Sequence, residues 1–260
     1  MISSKDNQLI KEIRKLREKK YRVQSQQFII EGFRFFEEAL KSNSNIDKVF
    51  IEEKSLNKLK ELYKTYNIND NIETYVVSYS VLKSISNTEN PQGIVAVINY
   101  FKKESLDLQS GFYILVDKVQ DPGNMGTIIR TAHAAGALGI ITTKGTVDIY
   151  NEKTLRSTMG SIFYIPIIED DNLNVVKSLQ QNRFKLLVSS LDTNSNFYDV
   201  NMTENMVIAV GNEGNGISED LNDISDIKVK IPMPGLAESL NVAVACSIMT
   251  FERIRQINMK

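Results

Sequence analysis

Cysteine occurs once in these 260 residues, at Cys246, which excludes an intrachain disulfide and any cysteine-rich metal site. No apolar run approaches the length of a membrane span, and residues 1–20 are charged rather than signal-like. There is no internal repeat and no low-complexity tract. These absences lead to the expectation of a cytoplasmic globular protein. The remainder of the composition agrees, with 42% apolar and 24% charged residues and a length that suits one large or two modest domains.

Charge of one sign is also scarce overall, since the net value is only −1. It is unevenly spread. Residues 1–22 hold eight basic residues against three acidic ones, a balance of +5 that leaves −6 for the rest. A basic end on an acidic body suits phosphate contact by one face. Lys15, Arg17, Lys19, Lys20 and Arg22 are the candidates for such phosphate contact. The same run also reads as the solvated face of a helix.

What is present is a regular alternation of element types. Leu9, Ile10, Ile13 and Leu16 recur at helical spacing, with basic residues on the other faces. Strand-like runs at 28–30, 49–51, 74–77 and 93–100 alternate with helical runs at 34–41, 56–66 and 80–85, which makes residues 1–101 an α/β domain. Residues 102–111 are polar enough to be a linker. A second series fills residues 112–260. Its strands are expected at 112–116, 138–142, 162–168, 184–189, 206–210 and 227–231, and its helices at 124–135, 154–159, 173–181 and 240–257. Short apolar strands without polar alternation, set between helices, indicate a parallel sheet covered on both faces. Such sheets bind ligands beyond the carboxyl ends of their strands.

Three loops that follow strands have unusual compositions. The first, at 117–137, carries the turn signal Asp121-Pro122-Gly123, with Asn124 placed to cap the next helix and Arg130 nearly two turns into it. The apolar neighbours Ile128, Ile129 and Ala132 aim Arg130 toward solvent, and an ordinary surface arginine fits the same pattern. The second, VGNEGNGIS at 210–218, has Gly211, Gly214 and Gly216, which let backbone amides approach a ligand. It is neither a P-loop nor the GxGxxG fingerprint. Glu213 within it could anchor a neighbouring loop or a ligand amine. The third, IPMPGLAESLNVAVAC at 231–246, is held extended by Pro232 and Pro234, with Ser239 and Asn241 where the loop becomes a helix. Each loop alone also reads as a tight turn or a cap. Together at strand ends they describe a small-molecule site without naming its reaction.

In this order the three loops resemble the motifs of the SpoU branch of the SPOUT RNA methyltransferases, the TrmH family. Asn124, Gly126 and Arg130 match the N-x-G…R motif, Gly211–Gly216 match GNEGxG, and residues 231–242 match IPM-x-G…SLNV. Between them, Arg156, Ser157 and Gly160 resemble an R-x-S-x-G segment, with Thr158 interposed. KKYR and FIIEGFRFFEEAL, with PQGIVAVI after them, resemble the substrate-binding domain many members carry, whose fold is like that of small RNA-binding ribosomal proteins. The resemblance implies transfer of a methyl group from S-adenosylmethionine to a ribose 2′-hydroxyl in RNA. It also implies a deep trefoil knot in the C-terminal domain, a rare exception to the rule against threading, and a homodimer with no metal and no membrane attachment. Gly211, Ile231 and Leu240 fall at positions that hold the cofactor in the family. Arg130 matches the arginine proposed to activate the 2′-hydroxyl, Asn124 would orient it or the ribose, Glu213 would brace the loops, and Ser239 with Asn241 would shape the catalytic corner. Free arginine keeps its proton up to a pKa above ~12, so a general base and a charged ligand for phosphate and alkoxide both remain open for Arg130.

His133, three residues after Arg130, is most simply a surface or interface histidine, and Cys246 a small buried core residue. Ribosomal RNA, 23S in particular, is favoured as the substrate over transfer RNA. A non-catalytic RNA-binding protein of the same fold is the rival. The joint presence of Arg130, Asn124, Glu213 and Asn241 argues against it.

Overall fold

The structure, a computed structural model, describes residues 1–68, 72–86, 88–101, 106–190 and 193–259. The chain divides into two compact units, one of Met1–Lys102 with Tyr150–Phe163, the other of Lys103–Ile149 with Tyr164–Lys260.

The first unit begins with α1 (Gln8–Lys15) and α2 (Lys19–Ser25) and continues as β1 (Gln27–Glu31), α3 (Phe33–Lys41), β2 (Ile46–Glu52), α4 (Leu56–Thr65), β3 (Glu73–Val77), α5 (Tyr79–Ile85) and β4 (Ile94–Asn99). Its sheet runs β1-β4-β2-β3, with β4 antiparallel to both neighbours and β2 parallel to β3. Ile10, Ile13 and Leu16 bury the apolar stripe of the first helix against Val81, Leu82 and Ile85 and the sheet residues Phe50, Val95 and Val97. Each such side chain contributes roughly 1.5–3 kcal/mol when fully buried. The segment 150–163 supplies α7 (Glu152–Thr158) and a 3-10 turn at Ser161–Phe163. Aromatic packing anchors it. Tyr150 stacks on Tyr100 with centroids 4.0 Å apart, and Phe163 lies 5.3 Å from Phe35.

The second unit holds β5 (Phe112–Val116), α6 (Pro122–Ala134), β6 (Gly139–Thr142), β7 (Ile167–Glu169), α8 (Asn174–Gln181), β8 (Lys185–Ser189), β9 (Met206–Val210), α9 (Glu219–Ile224), β10 (Ile227–Val229) and α10 (Val242–Asn258). Its six strands run β10-β8-β9-β5-β6-β7, every adjacent pair parallel. All five residues of β5 and of β9 are buried, as a sheet covered on both faces requires. Val176 and Leu179 of α8 and Leu221 of α9 pack on one side. The last helix, α10, packs on β9 and on α6. Of the expected linker, residues 102–105 lie outside the described residues, while Leu106 packs on the second unit's core and the Asp107 backbone exchanges two 2.9 Å hydrogen bonds with the Tyr113 hydroxyl.

Several expected boundaries shift. The run at 162–168 is a 3-10 turn followed by a strand of three residues only, Ile167–Glu169. The helix expected from residue 124 begins at Pro122, because Asp121 is the N-cap: its side chain accepts from the Asn124 N–H at 2.8 Å and proline sits in the first turn. Asn124 is therefore inside the helix rather than its cap.

Candidate active site

Strand register sets the site. Val116 is paired with both Val210 and Thr142, so the loops after β5, β9 and β6 leave the sheet side by side. Asp117, 1% exposed, is the first residue past β5. One of its oxygens accepts from Thr143 Oγ1 at 2.7 Å and the other from the Ser218 N–H at 2.7 Å, tying the ends of all three strands together. Lys118 follows in the left-handed region at φ 54°, and its carbonyl accepts from Asn212 Nδ2 at 2.8 Å.

The glycine-rich loop closes on itself. Asn212 and Gly216 exchange backbone hydrogen bonds of 2.8 and 2.9 Å, and Asn212 Oδ1 accepts from the N–H groups of Gly214 and Asn215. A Cβ at Gly211 would stand 2.2 Å from the Gly216 carbonyl carbon and 2.4 Å from the Ile217 nitrogen. Only glycine fits there.

Glu213, carried outward by this loop, accepts from the N–H groups of Gln120 and Asp121 at 3.2 Å each and from Asn124 Nδ2 at 2.9 Å. Burial alone would push its carboxyl up. The hydrogen bonds from Asn124 and from backbone N–H groups outweigh that and hold it below the ordinary carboxylate range. The other end of the Asn124 amide accepts from Asn241 Nδ2 at 2.9 Å. Asn241 in turn caps α10, its Oδ1 accepting from Ala243 and Val244 N–H at 2.9 and 3.3 Å. One relay, Glu213–Asn124–Asn241, thus joins the three loops. The N-terminal ends of α6 and α10 meet at this relay, and Thr131 Oγ1 lies 3.1 Å from Ser247 Oγ deeper between the same helices.

Arg130 lies on α6 with its side chain in solvent, and makes no hydrogen bond or ion pair among the described residues. Its five N–H donors are available to a ligand. Ser239 and Leu240 are exposed and Ile231 is half-buried. Among the described residues, no N–H or carbonyl group of residues 231–240 pairs with another backbone group. A segment with unspent donors and acceptors and exposed apolar side chains, Leu236 and Leu240 among them, fits a flat heteroaromatic group with polar edges. His133 is exposed and stacks face to face on Tyr164, centroids 5.0 Å apart, and Cys246 is fully buried. No group of three or more His, Cys, Asp or Glu that could hold a metal occurs among the described residues. Sequence reasoning missed Asp117 and Gln120, and gave Asp121 only a turn. The buried aspartate at a strand end was the available signal.

Residues 111–251 match the SpoU rRNA Methylase family, and residues 7–96 match the MRM3-like substrate binding domain. The chain belongs to the SpoU rRNA methylase family. It is 35% identical over 250 residues to the 23S rRNA (guanosine(2553)-2'-O)-methyltransferase RlmP of Bacillus subtilis (strain 168), a match covering 96% of this chain and 97% of that protein. The AdoMet-bound rRNA methyltransferase from Sinorhizobium meliloti is similar with a TM-score of 0.87 at 30% identity, covering 98% of this chain and 97% of that one. The SpoU methyltransferase AviRb from Streptomyces viridochromogenes, in complex with AdoMet, gives a TM-score of 0.87 at 25% identity over 97% and 98% of the two chains.

In this SpoU chain the basic N-terminal residues do not all face solvent. Lys15, Lys19 and Lys20 are exposed, with Lys15 and Lys20 over the Tyr21 ring at 5.5 and 5.8 Å. Arg17 is exposed as a residue but donates to the Ser86 carbonyl. Arg22 is 6% exposed and donates to the carbonyls of Leu16 and Arg17, at 2.9 and 2.6 Å, so it works as a clamp on the turn between α1 and α2.

Proposed function

We propose that this chain transfers a methyl group from S-adenosylmethionine to a ribose 2′-hydroxyl of ribosomal RNA, with 23S RNA as the substrate. The carrying observation is the Glu213–Asn124–Asn241 relay, which fixes three motif loops around an outward-facing Arg130. Near-complete coverage by an rRNA-modifying relative supports the choice of RNA.

Gly211, Ile231 and Leu240, with the unpaired backbone of residues 231–240, would hold the cofactor. S-adenosylmethionine brings a methyl group already activated on a sulfonium, so the residues need only position and neutralise. Arg130 binds the adjacent phosphate and donates to the 2′-oxygen as negative charge develops there. Glu213 is a brace and not a base, since its carboxylate is occupied by donors and held below its usual range. The hydroxyl proton leaves to solvent at this exposed corner. Ser239, exposed on the loop that ends at Asn241, would help shape this corner. Holding two reactants in line can lower a barrier by roughly 7–11 kcal/mol.

The same reading places Lys15, Lys19 and Lys20 on the RNA backbone and the protein in the cytoplasm. No helix among the described residues is long and apolar enough to cross a membrane. It includes the trefoil knot, supported by the return of α10 from the β10 edge to β9 and α6. It also includes a homodimer, supported by the exposed Val244 and Phe251, 47% and 48% accessible at i, i+7 on α10.

The test offers labelled S-adenosylmethionine with unmodified ribosomal RNA and, separately, transfer RNA. Label is expected in ribosomal RNA, and Arg130→Ala should reduce it at least a hundredfold with cofactor binding near normal. Label in transfer RNA alone would reverse the choice of substrate. Cofactor binding without transfer to either RNA, or to ribosomal particles, would favour the non-catalytic reading.

A further inference from the structure

The turn that joins α1 to α2 presents one aromatic ring between two lysines. Leu16 anchors this turn in the core of the first unit, and Arg22 donates to the Leu16 and Arg17 carbonyls at 2.9 and 2.6 Å. The Glu18 N–H donates to the Lys15 carbonyl at 2.9 Å, and the Glu18 carbonyl accepts from the Tyr21 and Arg22 N–H groups at 3.1 and 3.2 Å. The last turn of α1 is thereby fixed against the first turn of α2. Tyr21 is half-buried there, and Lys15 and Lys20, one from each helix, hold their Nζ atoms 5.5 and 5.8 Å from its ring centroid.

The lysines lie over the ring although carboxylates stand on the same helices. Glu12 in α1 accepts from Gln8 Nε2 at 2.9 Å, and Glu18, at the start of α2, makes no side-chain hydrogen bond or ion pair among the described residues. Glu31 and Glu152 act on Arg17, which takes no part in this cluster. Lys15, Lys19 and Lys20 form no ion pair among the described residues, and the Tyr21 hydroxyl has no hydrogen-bond partner there. An ammonium over an aromatic ring at a wet surface is held weakly, because water competes for it. A ligand with a flat face and negative charge beside it can take the ring and draw both ammonium groups to itself.

A nucleotide has that form. Its base stacks on an aromatic ring whatever its identity, and phosphates flank it on both sides. Bases inside a duplex are already stacked, so a protein ring takes up an unpaired one. We propose that Tyr21 is the stacking platform for one unpaired nucleotide of the RNA substrate, with Lys15 and Lys20 moving from the ring to the phosphates that flank it. The proposal rests on the reading that RNA is the substrate. The lysines supply affinity through counterion release, and Tyr21 supplies the choice of an unpaired nucleotide over a duplex.

The sequence contains no tryptophan, so Tyr21→Trp carries a single indole at the platform. Its emission should be quenched as an unmodified 23S rRNA transcript is added, whereas a blunt duplex RNA should bind through the lysines without quenching. Tyr21→Leu keeps apolar bulk and removes the π face. It should bind the transcript roughly tenfold more weakly with the slope of log K against log[salt] unchanged, and Tyr21→Phe should restore most of the affinity. Lys15→Gln/Lys20→Gln should instead lower the slope, by roughly 1–2. Transcript binding without quenching, or a folded Tyr21→Leu of unchanged affinity, would overturn the platform and leave the RNA reading standing. Equal quenching by the duplex would remove the choice of an unpaired nucleotide and overturn the proposal. A wild type that binds no RNA would overturn both readings.

Discussion

A carboxamide has a donor end and an acceptor end, and Asn124 uses each on a different loop: the donor on Glu213, the acceptor on Asn241. Hydrogen bonds to a charged group contribute about 1.5–3 kcal/mol. Asn124→Asp removes the donor and sets a second carboxylate against Glu213, so the loops should separate. The expected result is a ten- to hundredfold loss of methyl transfer with weakened S-adenosylmethionine binding, read by calorimetry; unchanged binding would mean the relay does not shape the cofactor site. Much of this was legible in the sequence because glycine and proline punctuate the loops. The relay itself was not, since its partners lie 89 and 117 residues apart along the chain. Asn124 was misread as a cap for a local reason. Asp and Asn both cap well, and only the position of Pro122 in the first turn gives Asp121 the role.

Among elements, β5 and β9 could be read residue for residue, because a strand buried on both faces leaves an unbroken apolar run. Helices with little apolar content were missed. In α2 the residue that buries is Arg22, and in α9 it is Leu221, so neither shows a periodic stripe. The final helix combines three jobs. Asn241 caps it at the site, and Arg253, 3% exposed, donates to the carbonyls of Met202, Glu204 and Gly111 and lies 5.0 Å from the Phe112 ring. Its outward face carries Val244 and Phe251. Phe251→Glu puts a charge on that face without touching the core; on the proposal of a homodimer through this face it should give a folded monomer by sedimentation, with a lower thermal midpoint at matched concentration. An unchanged dimer would move the interface elsewhere.

At the scale of the whole molecule, charge and pH tie these parts together. The near-zero net charge conceals a basic end, and the structure divides that end into exposed lysines and arginines spent on carbonyls. Alkaline stability has a definite sign. Burial pushes the Cys246 thiol up to about 12 and raises Tyr113 as well. Thiols in the unfolded chain ionise near 8.5. The folded state holds its proton longer, so this contribution is complete below about pH 8.5 and is lost as pH rises toward 12. The thermal midpoint should fall from pH 8.5 to 10, and less steeply in Cys246→Ala; identical slopes would show that the thiol does not contribute.

The central claim is that the braced loops and Arg130 direct the methyl group to a ribose oxygen. The most direct measurement is alkaline hydrolysis of ribosomal RNA labelled by the protein from methyl-labelled S-adenosylmethionine, because a 2′-O-methyl blocks cleavage of the adjacent phosphodiester. The account predicts label in alkali-resistant dinucleotides. Label released in mononucleotides would place the methyl on a base and contradict it.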